Sequence, residues 1–273
     1  MWQTILFACV LACLAAAPAR AQQPFYTDDA DVTGRGQFFF EAINEFDVLQ
    51  PAARPAVRQN TATFTLSYGL FRNAEVSVSA PLITIFNERA ATPRRVTGVG
   101  DTSFQIKYNF LREREGSRLP AMTVTFTVEA PTGSAEKGTG SGLVDYSLNG
   151  ILQKSVTDLT KLRLNGGVIF AGNSATGVVG LRTRGRVFTG GGSVVRQFSE
   201  RLLLGAEVTG AVTSNFDLSR GLLQGQVGGN YTLSERMTLD FGVLAGRYVA
   251  GPRLGARLGV SVDLDRRLSE RQE

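Results

Sequence analysis

The 273-residue chain contains no histidine. That removes the side chain most often used as a general base near neutral pH and the commonest metal ligand. Its two cysteines, Cys9 and Cys13, and its one tryptophan, Trp2, all lie close to the N-terminus. The rest of the chain therefore has no thiol for a disulfide or for a cysteine-held metal. After Ala17 no apolar run approaches the roughly 20 residues that a helix needs to cross a bilayer. No stretch of Lys and Arg interleaved with aromatics suits nucleic acid. These absences exclude a disulfide scaffold, and no cofactor, metal or nucleic-acid partner is expected. A lipid hydrolase or acyltransferase set in a barrel wall would generally use a Ser–His pair, which this chain cannot supply.

What is present begins with an apolar run, Ile5 to Ala17, ending in Ala19-Arg20-Ala21. Its length and small-x-small ending read as a secretory signal peptide over residues 1–21. Lipid attachment at Cys13 ranks below simple cleavage, because Leu11 is bulky at the position that attachment wants small. The formal charge is +5, or +4 once Arg20 is removed, with both signs scattered. Residues 22–35 form a polar lead-in, with Thr27-Asp28-Asp29-Ala30-Asp31 expected to be solvated. The acidic spacing there lacks the central Gly and final Glu of a calcium loop.

The remaining pattern is alternation. In Ser103 to Phe110, Phe104, Ile106, Tyr108 and Phe110 take every second place, against Ser103, Gln105, Lys107 and Asn109. Met122, Val124, Phe126, Val128 and Ala130 then alternate with Thr123, Thr125, Thr127 and Glu129. Successive side chains of a strand point to opposite faces, so each such segment has one apolar and one polar face. The rhythm repeats about twelve times between residues 36 and 264, and a charged tail, 265–273, follows. Short connections, among them the near copies Phe198-Ser199-Glu200-Arg201-Leu202 and Leu233-Ser234-Glu235-Arg236-Met237, alternate with long ones. Asp47 to Gln59, Asn87 to Gly100 and Gly172 to Gly185 read as long loops, and the first and last of these are candidates to fold inward. The Gly133–Gly142 stretch lacks the Lys-Ser/Thr ending and following helix of a phosphate loop and reads as a surface loop.

Segments of about ten residues match strands that cross a bilayer at a tilt, whereas soluble strands run nearer 5–6. Aromatics near segment ends, such as Phe46, Tyr68, Phe110, Phe170, Phe198 and Tyr231, suit interfacial girdles. The fold expected is an all-β, antiparallel, up-and-down transmembrane β-barrel of about 12 strands, with short periplasmic turns and long extracellular loops. Its apolar face should meet lipid and its polar face a lumen lined by Glu41, Glu75, Gln105, Lys107, Glu129, Asp145, Arg163, Glu207, Gln224, Gln226, Asp240 and Arg257. If the last hairpin folds near Val249, Glu41, Arg257 and Asp240 form a mid-barrel cluster.

Gly98-x-Gly100-Asp101, then Lys107-Tyr108 and Leu111, then Ala130-Pro131-Thr132-Gly133, the glycines 138, 140 and 142, and Asp145 resemble the MetA-pathway phenol-degradation outer-membrane family. The lead-in Thr27-Asp28-Asp29-Ala30-Asp31 before Gly34 and Gly36 is similar too. The resemblance implies a barrel that moves small, aromatic compounds among them, across the outer membrane, and it carries no catalytic motif. The function expected is passive passage of small solutes through the outer membrane of a Gram-negative cell. The partners expected are outer-membrane lipids, a small-molecule solute and the outer-membrane assembly machinery. Competing readings are a structural or surface-binding barrel that works through its loops, the enzyme already mentioned, and a soluble periplasmic barrel with its apolar face inward.

Overall fold

The computed structural model describes residues 24–170, 185–213, 221–248 and 250–264. The signal segment 1–21, the tail 265–273 and nearly all of the Gly172–Gly185 stretch lie outside the described residues. Thirteen strands follow in order: β1 (Phe38–Val48), β2 (Ala56–Phe71), β3 (Ala74–Asn87), β4 (Arg95–Val99), β5 (Thr102–Leu111), β6 (Ala121–Ala130), β7 (Asp145–Thr157), β8 (Thr160–Phe170), β9 (Arg186–Gln197), β10 (Leu202–Thr213), β11 (Leu222–Ser234), β12 (Met237–Arg247) and β13 (Leu254–Asp263). Consecutive strands pair antiparallel, save that β4 and β5 both pair with β3, and β13 returns to pair with β1, for instance Ala42 against Val260.

β4 and β5 are two halves of one crossing. Both lie against β3, with Val99 opposite Leu82 and Ser103 opposite Ser79, and the register slips between them at Gly100-Asp101. The result is a closed, twelve-stranded antiparallel barrel. Closure pairs the barrel-crossing strands on both sides, β4 at the long-loop end having β3 as its one strand partner among the described residues, and a lipid environment requires such pairing because it offers no hydrogen bonds to a bare backbone. Connections at one end are tight, as at 72–73, 158–159, 198–201 and 235–236, and longer ones such as 131–144 gather at the other.

The faces are inverted relative to a soluble protein. Phe104, Ile106, Leu148, Leu164, Val208, Val227 and Leu258 are exposed on the outside. Lys107, Thr123, Thr125, Gln153, Arg163, Glu207, Gln224 and Asp240 are buried inside. A charged side chain turned to lipid at mid-depth would cost roughly 2–4 kcal/mol for Arg or Lys. Period-two alternation therefore settles radially in one way only.

Two expected loops are shorter than the sequence suggested. β1 and β2 extend to Val48 and from Ala56, leaving 49–55 with a 3-10 turn at Pro51–Ala53. Leu49 and Ala56 pack with inward-facing Ile83 and Ile85 and with Ala250 into an apolar cluster at the long-loop end of the lumen. Likewise Arg95–Val99, expected in a loop, extends the β3 hairpin. Both misreadings arise where Pro and Arg residues interrupt an alternation that backbone pairing nevertheless continues.

The glycine motif at the β4–β5 break has a structural task. Asp101 Oδ1 accepts a hydrogen bond from Gly133 N at 2.9 Å, and its Oδ2 accepts one from Ser141 N at 2.6 Å. Thr132 Oγ1 donates to Gly100 O at 2.9 Å. A Cβ on Gly140 would come within 2.5 Å of Asp101 Oδ1, so the close approach needs glycine there. The 131–144 loop is thus tied to the barrel wall rather than left free.

Candidate functional site

The lumen is occupied by the chain's own N-terminal lead-in. Residues 24–33 enter from the short-turn end, where Gly36 N bonds to Gly69 O at 2.7 Å and Thr33 N donates to Glu75 at 2.6 Å. Gly69 is glycine for this reason: a Cβ there would sit 1.9 Å from Gly34 O. The sequence reading of a solvated lead-in is corrected here, since Thr27, Ala30 and Val32 are buried. The lead-in lacks alternation because its backbone is paired by lumen side chains, not by a neighbouring strand.

Its contacts run around the wall. Ala30 is fully enclosed, packed with Ala121 and Ile151. Its carbonyl accepts from Asn109 Nδ2 and Thr123 Oγ1, both at 2.7 Å. Lys107, 1 % exposed, places its ammonium 2.8 Å from Asp28 and 3.3 Å from Asp29, and Arg163 lies 3.6 Å from Asp29. Asp28 exchanges two hydrogen bonds with the Asn165 amide, at 2.8 and 3.0 Å. Glu207 accepts from Tyr26 N at 2.9 Å and Thr27 N at 2.8 Å. Pro24 O accepts from Gln226 Nε2 at 2.5 Å and from Arg257 Nη1 at 2.7 Å.

Of the twelve lumen residues read from the sequence, Glu75, Lys107, Arg163, Glu207, Gln226 and Arg257 hold the lead-in by these contacts. Gln105 lies above it, donating to Thr127 at 3.2 Å, and Gln224 is buried on β11. Glu129 and Asp145 face each other across β6 and β7 towards the long-loop end. Asp240 accepts from Ser261 at 2.6 Å, and Glu41 sits opposite Ser261 on β1.

Glu41, Asp240 and Arg257 lie within electrostatic reach of one another, but Arg257 makes no direct ion pair with either carboxylate. The hairpin register places Arg257 opposite Gly242 and Asp240 opposite Gly259, two residues away. Arg257 is instead paired with Glu45, which lies directly across the closing seam, at 3.0 Å. Its guanidinium also lies 4.4 Å from the centre of the Tyr26 ring, whose hydroxyl donates to Glu45 at 2.7 Å.

Sequence reasoning thus missed Tyr26, Asp28, Asp29, Glu45 and Asn165. The available signal was charge complementarity: an acidic lead-in, and two lumen cations, Lys107 and Arg163, with no inward acid assigned to either.

Beside and above the lead-in a cavity of about 510 Å³ remains. One wall is made of Thr63, Thr65, Ser77, Ser79, Ser103 and Thr125, with further hydroxyls and amides from β6 and β7. Tyr26 of the lead-in lines the cavity too, with Glu45 and Arg257 from the adjoining strands β1 and β13, and Leu222, Ala250 and Pro252 contribute apolar surface at the long-loop end. Uncharged hydroxyls exchange hydrogen bonds with water or solute at little cost, so this wall favours passage over tight retention.

A family model described as "Putative MetA-pathway of phenol degradation" matches residues 56–264. Among solved structures, the COG4313 outer membrane channel from Pseudomonas putida F1 is similar at 12% identity with a TM-score of 0.64, covering 86% of this chain and 98% of that one. The KdgM porin is similar at 12% identity and TM-score 0.55, covering 83% and 99%. The NanC porin is similar at 10% identity and TM-score 0.55, covering 83% and 100%. At such identities the likeness concerns the fold. No curated protein matches this chain.

Proposed function

The chain belongs to the family of the MetA pathway of phenol degradation, and from that membership and the geometry of the lumen we propose that it is a passive outer-membrane channel for small solutes. The short-turn end faces the periplasm, and the lead-in is a detachable stopper. The observation that carries the reading is the radial inversion: a closed barrel, apolar outside, with a polar interior. The family's description makes small aromatic compounds the first solutes to test. Outer-membrane lipid surrounds the apolar belt, and the assembly machinery of that membrane inserts the barrel after its signal peptide is removed.

The twelve lumen residues divide into two roles. Glu75, Lys107, Arg163, Glu207, Gln226 and Arg257 dock the lead-in, while Gln105, Glu129, Asp145 and Gln224 meet the solute beyond it. Glu41 and Asp240 line the periplasmic half. With the stopper seated, flux is low. When it swings out, its binding residues become the walls of a wider, mixed-charge pore.

The test is reconstitution of the purified protein in planar bilayers and in liposomes that report solute swelling. The expected result is discrete conductance steps with long closed periods, and swelling with small neutral and aromatic solutes. Protein that never conducts or passes solute, even with residues 24–33 deleted, removes the channel reading.

A further inference from the structure

Five arginines crowd one side of the long-loop end: Arg54 and Arg58 around the β1–β2 connection, and Arg89, Arg94 and Arg95 around the β3–β4 connection. All five are exposed. Residues 49–58 contain no acid and residues 88–95 only Glu88. Among the described residues none of the five forms an ion pair. The opposite end is built otherwise. Its turns 112–120, 198–201 and 235–236 carry both signs, as in Glu113 beside Arg112 and Arg114, Glu200 beside Arg201, and Glu235 beside Arg236.

The depth of two of these arginines is set by strand register. Arg58 on β2 and Arg95 on β4 both lie opposite Phe86 on β3. They share one level of the outer face, two strand spacings or about 10 Å apart. Phe86 lies between them, its ring 6.5 Å from that of Phe46 on β1. One step towards the barrel centre the outward row is Asn60, Thr84 and Thr97, and the next is Ala62, Leu82 and Val99. Descending the face, the order is therefore arginine with aromatic, then hydroxyl and amide, then hydrocarbon. That order matches the strata of a lipid leaflet from charged headgroup to acyl chain.

We infer that this face, centred on Arg58 and Arg95, docks the phosphorylated sugar headgroup of a lipopolysaccharide in the outer leaflet. Guanidinium groups offer planar, paired donors that match phosphate oxygens, and their charge does not titrate at any relevant pH. Two such groups held about 10 Å apart by the sheet suit a headgroup with two separated phosphates. The Arg54, Arg89 and Arg94 side chains, on flexible stems above, add further positive charge. The phenyl rings of Phe46 and Phe86 meet the start of the acyl chains. The inference rests on the proposed orientation, with the long-loop end outward, and is tested separately from conduction.

The experiment uses the full chain in neutral detergent and counts bound lipid by native mass spectrometry. The probes are bis-phosphorylated lipid A, its mono-phosphorylated form, phosphatidylglycerol and inorganic phosphate. The double variant Arg58→Gln/Arg95→Gln replaces exposed side chains and should fold normally. The expected result is preference for the bis-phosphorylated lipid, weaker binding of the mono-phosphorylated form, and a loss of about tenfold or more in the double variant. Conductance of the variant should match the parent. Unchanged lipid A binding in the double variant overturns the inference. So does equal binding of phosphatidylglycerol, which would mean a generic anionic surface, or equal affinity for inorganic phosphate. If the parent never conducts but lipid A binding depends on the two arginines, the channel reading fails and this one stands.

Discussion

Lys107 reaches from β5 to Asp28 and Asp29 with its side chain sealed from solvent. Taking away one partner of a buried pair costs about 3–5 kcal/mol, because the other charge is left stranded. Here the stranded carboxylates belong to a segment outside the strand ladder, so they can return to water without unfolding the barrel. The loss should therefore appear as release of the lead-in. At about 3 kcal/mol, and 1.4 kcal/mol per tenfold, Lys107→Met should shift the docked-to-released ratio more than a hundredfold. Bilayer recordings should show a much larger open fraction with little change in barrel melting. An unchanged open fraction would mean that the contact is not what seats the lead-in.

Glu113, in the 112–120 turn, shows the same chemistry at the surface. It accepts from Lys154 Nζ, and from Ser155 N at 3.0 Å and Ser155 Oγ at 3.0 Å. Partial desolvation alone would raise its carboxyl, but the Lys154 and Ser155 donors outweigh it and hold the group below its ordinary value of 4.5. A depressed folded-state value means that the turn's contribution is complete above the unfolded value and is lost as pH falls through the folded one. Melting temperature should therefore fall as pH drops below about 4.5, and Glu113→Gln should flatten that part of the profile. Identical profiles for the two proteins would show that the turn contributes nothing to acid sensitivity.

At the level of elements, the strands and the lead-in form two separable units. The ladder closes from β1 to β13 without using residues 24–33. Deleting those residues should leave a folded barrel with conductance raised several-fold, read in bilayers alongside an unchanged far-ultraviolet β spectrum. The wall of β8 to β10 is shaped to receive the segment. A Cβ on Gly205 would meet Val194 O at 2.7 Å and Val195 Cγ1 at 2.8 Å as well as Phe25 Cζ at 2.9 Å, whereas one on Gly191 would meet two side-chain methyls first, Thr209 Cγ2 at 2.8 Å and Thr27 Cγ2 at 3.0 Å. Gly191→Ala should thus partly reproduce the deletion by pushing Thr27 aside. If Gly191→Ala conducts like the parent, the lead-in has room to move and the fit at that point is loose.

For the whole molecule, closure predicts behaviour that no single strand does. With its ladder closed from β13 onto β1, the barrel should stay folded in SDS until boiled and migrate faster than the unfolded chain on a gel. Equal mobility before and after boiling would contradict a closed ring.

Strand existence, polar and apolar faces, and alternating connection lengths were all legible in the residues, because each follows from local period-two geometry and turn chemistry. Ser, Thr and charge on one face, with Phe, Leu and Val on the other, also pointed to lipid outside. Register was not legible. Arg257 was expected opposite Asp240 but faces Gly242 and pairs with Glu45, since a two-residue offset across a hairpin leaves the alternation of both strands unchanged. Nor was the lead-in's place. Thr27 to Asp31 has no periodicity because its partners are side chains more than seventy residues away in sequence, such as Lys107 and Arg163. The sequence by itself determined two-faced strands of bilayer-crossing length. Only ring closure decided which charges meet, because closure brings distant strands around a common axis and leaves a lumen that the free N-terminal segment can enter.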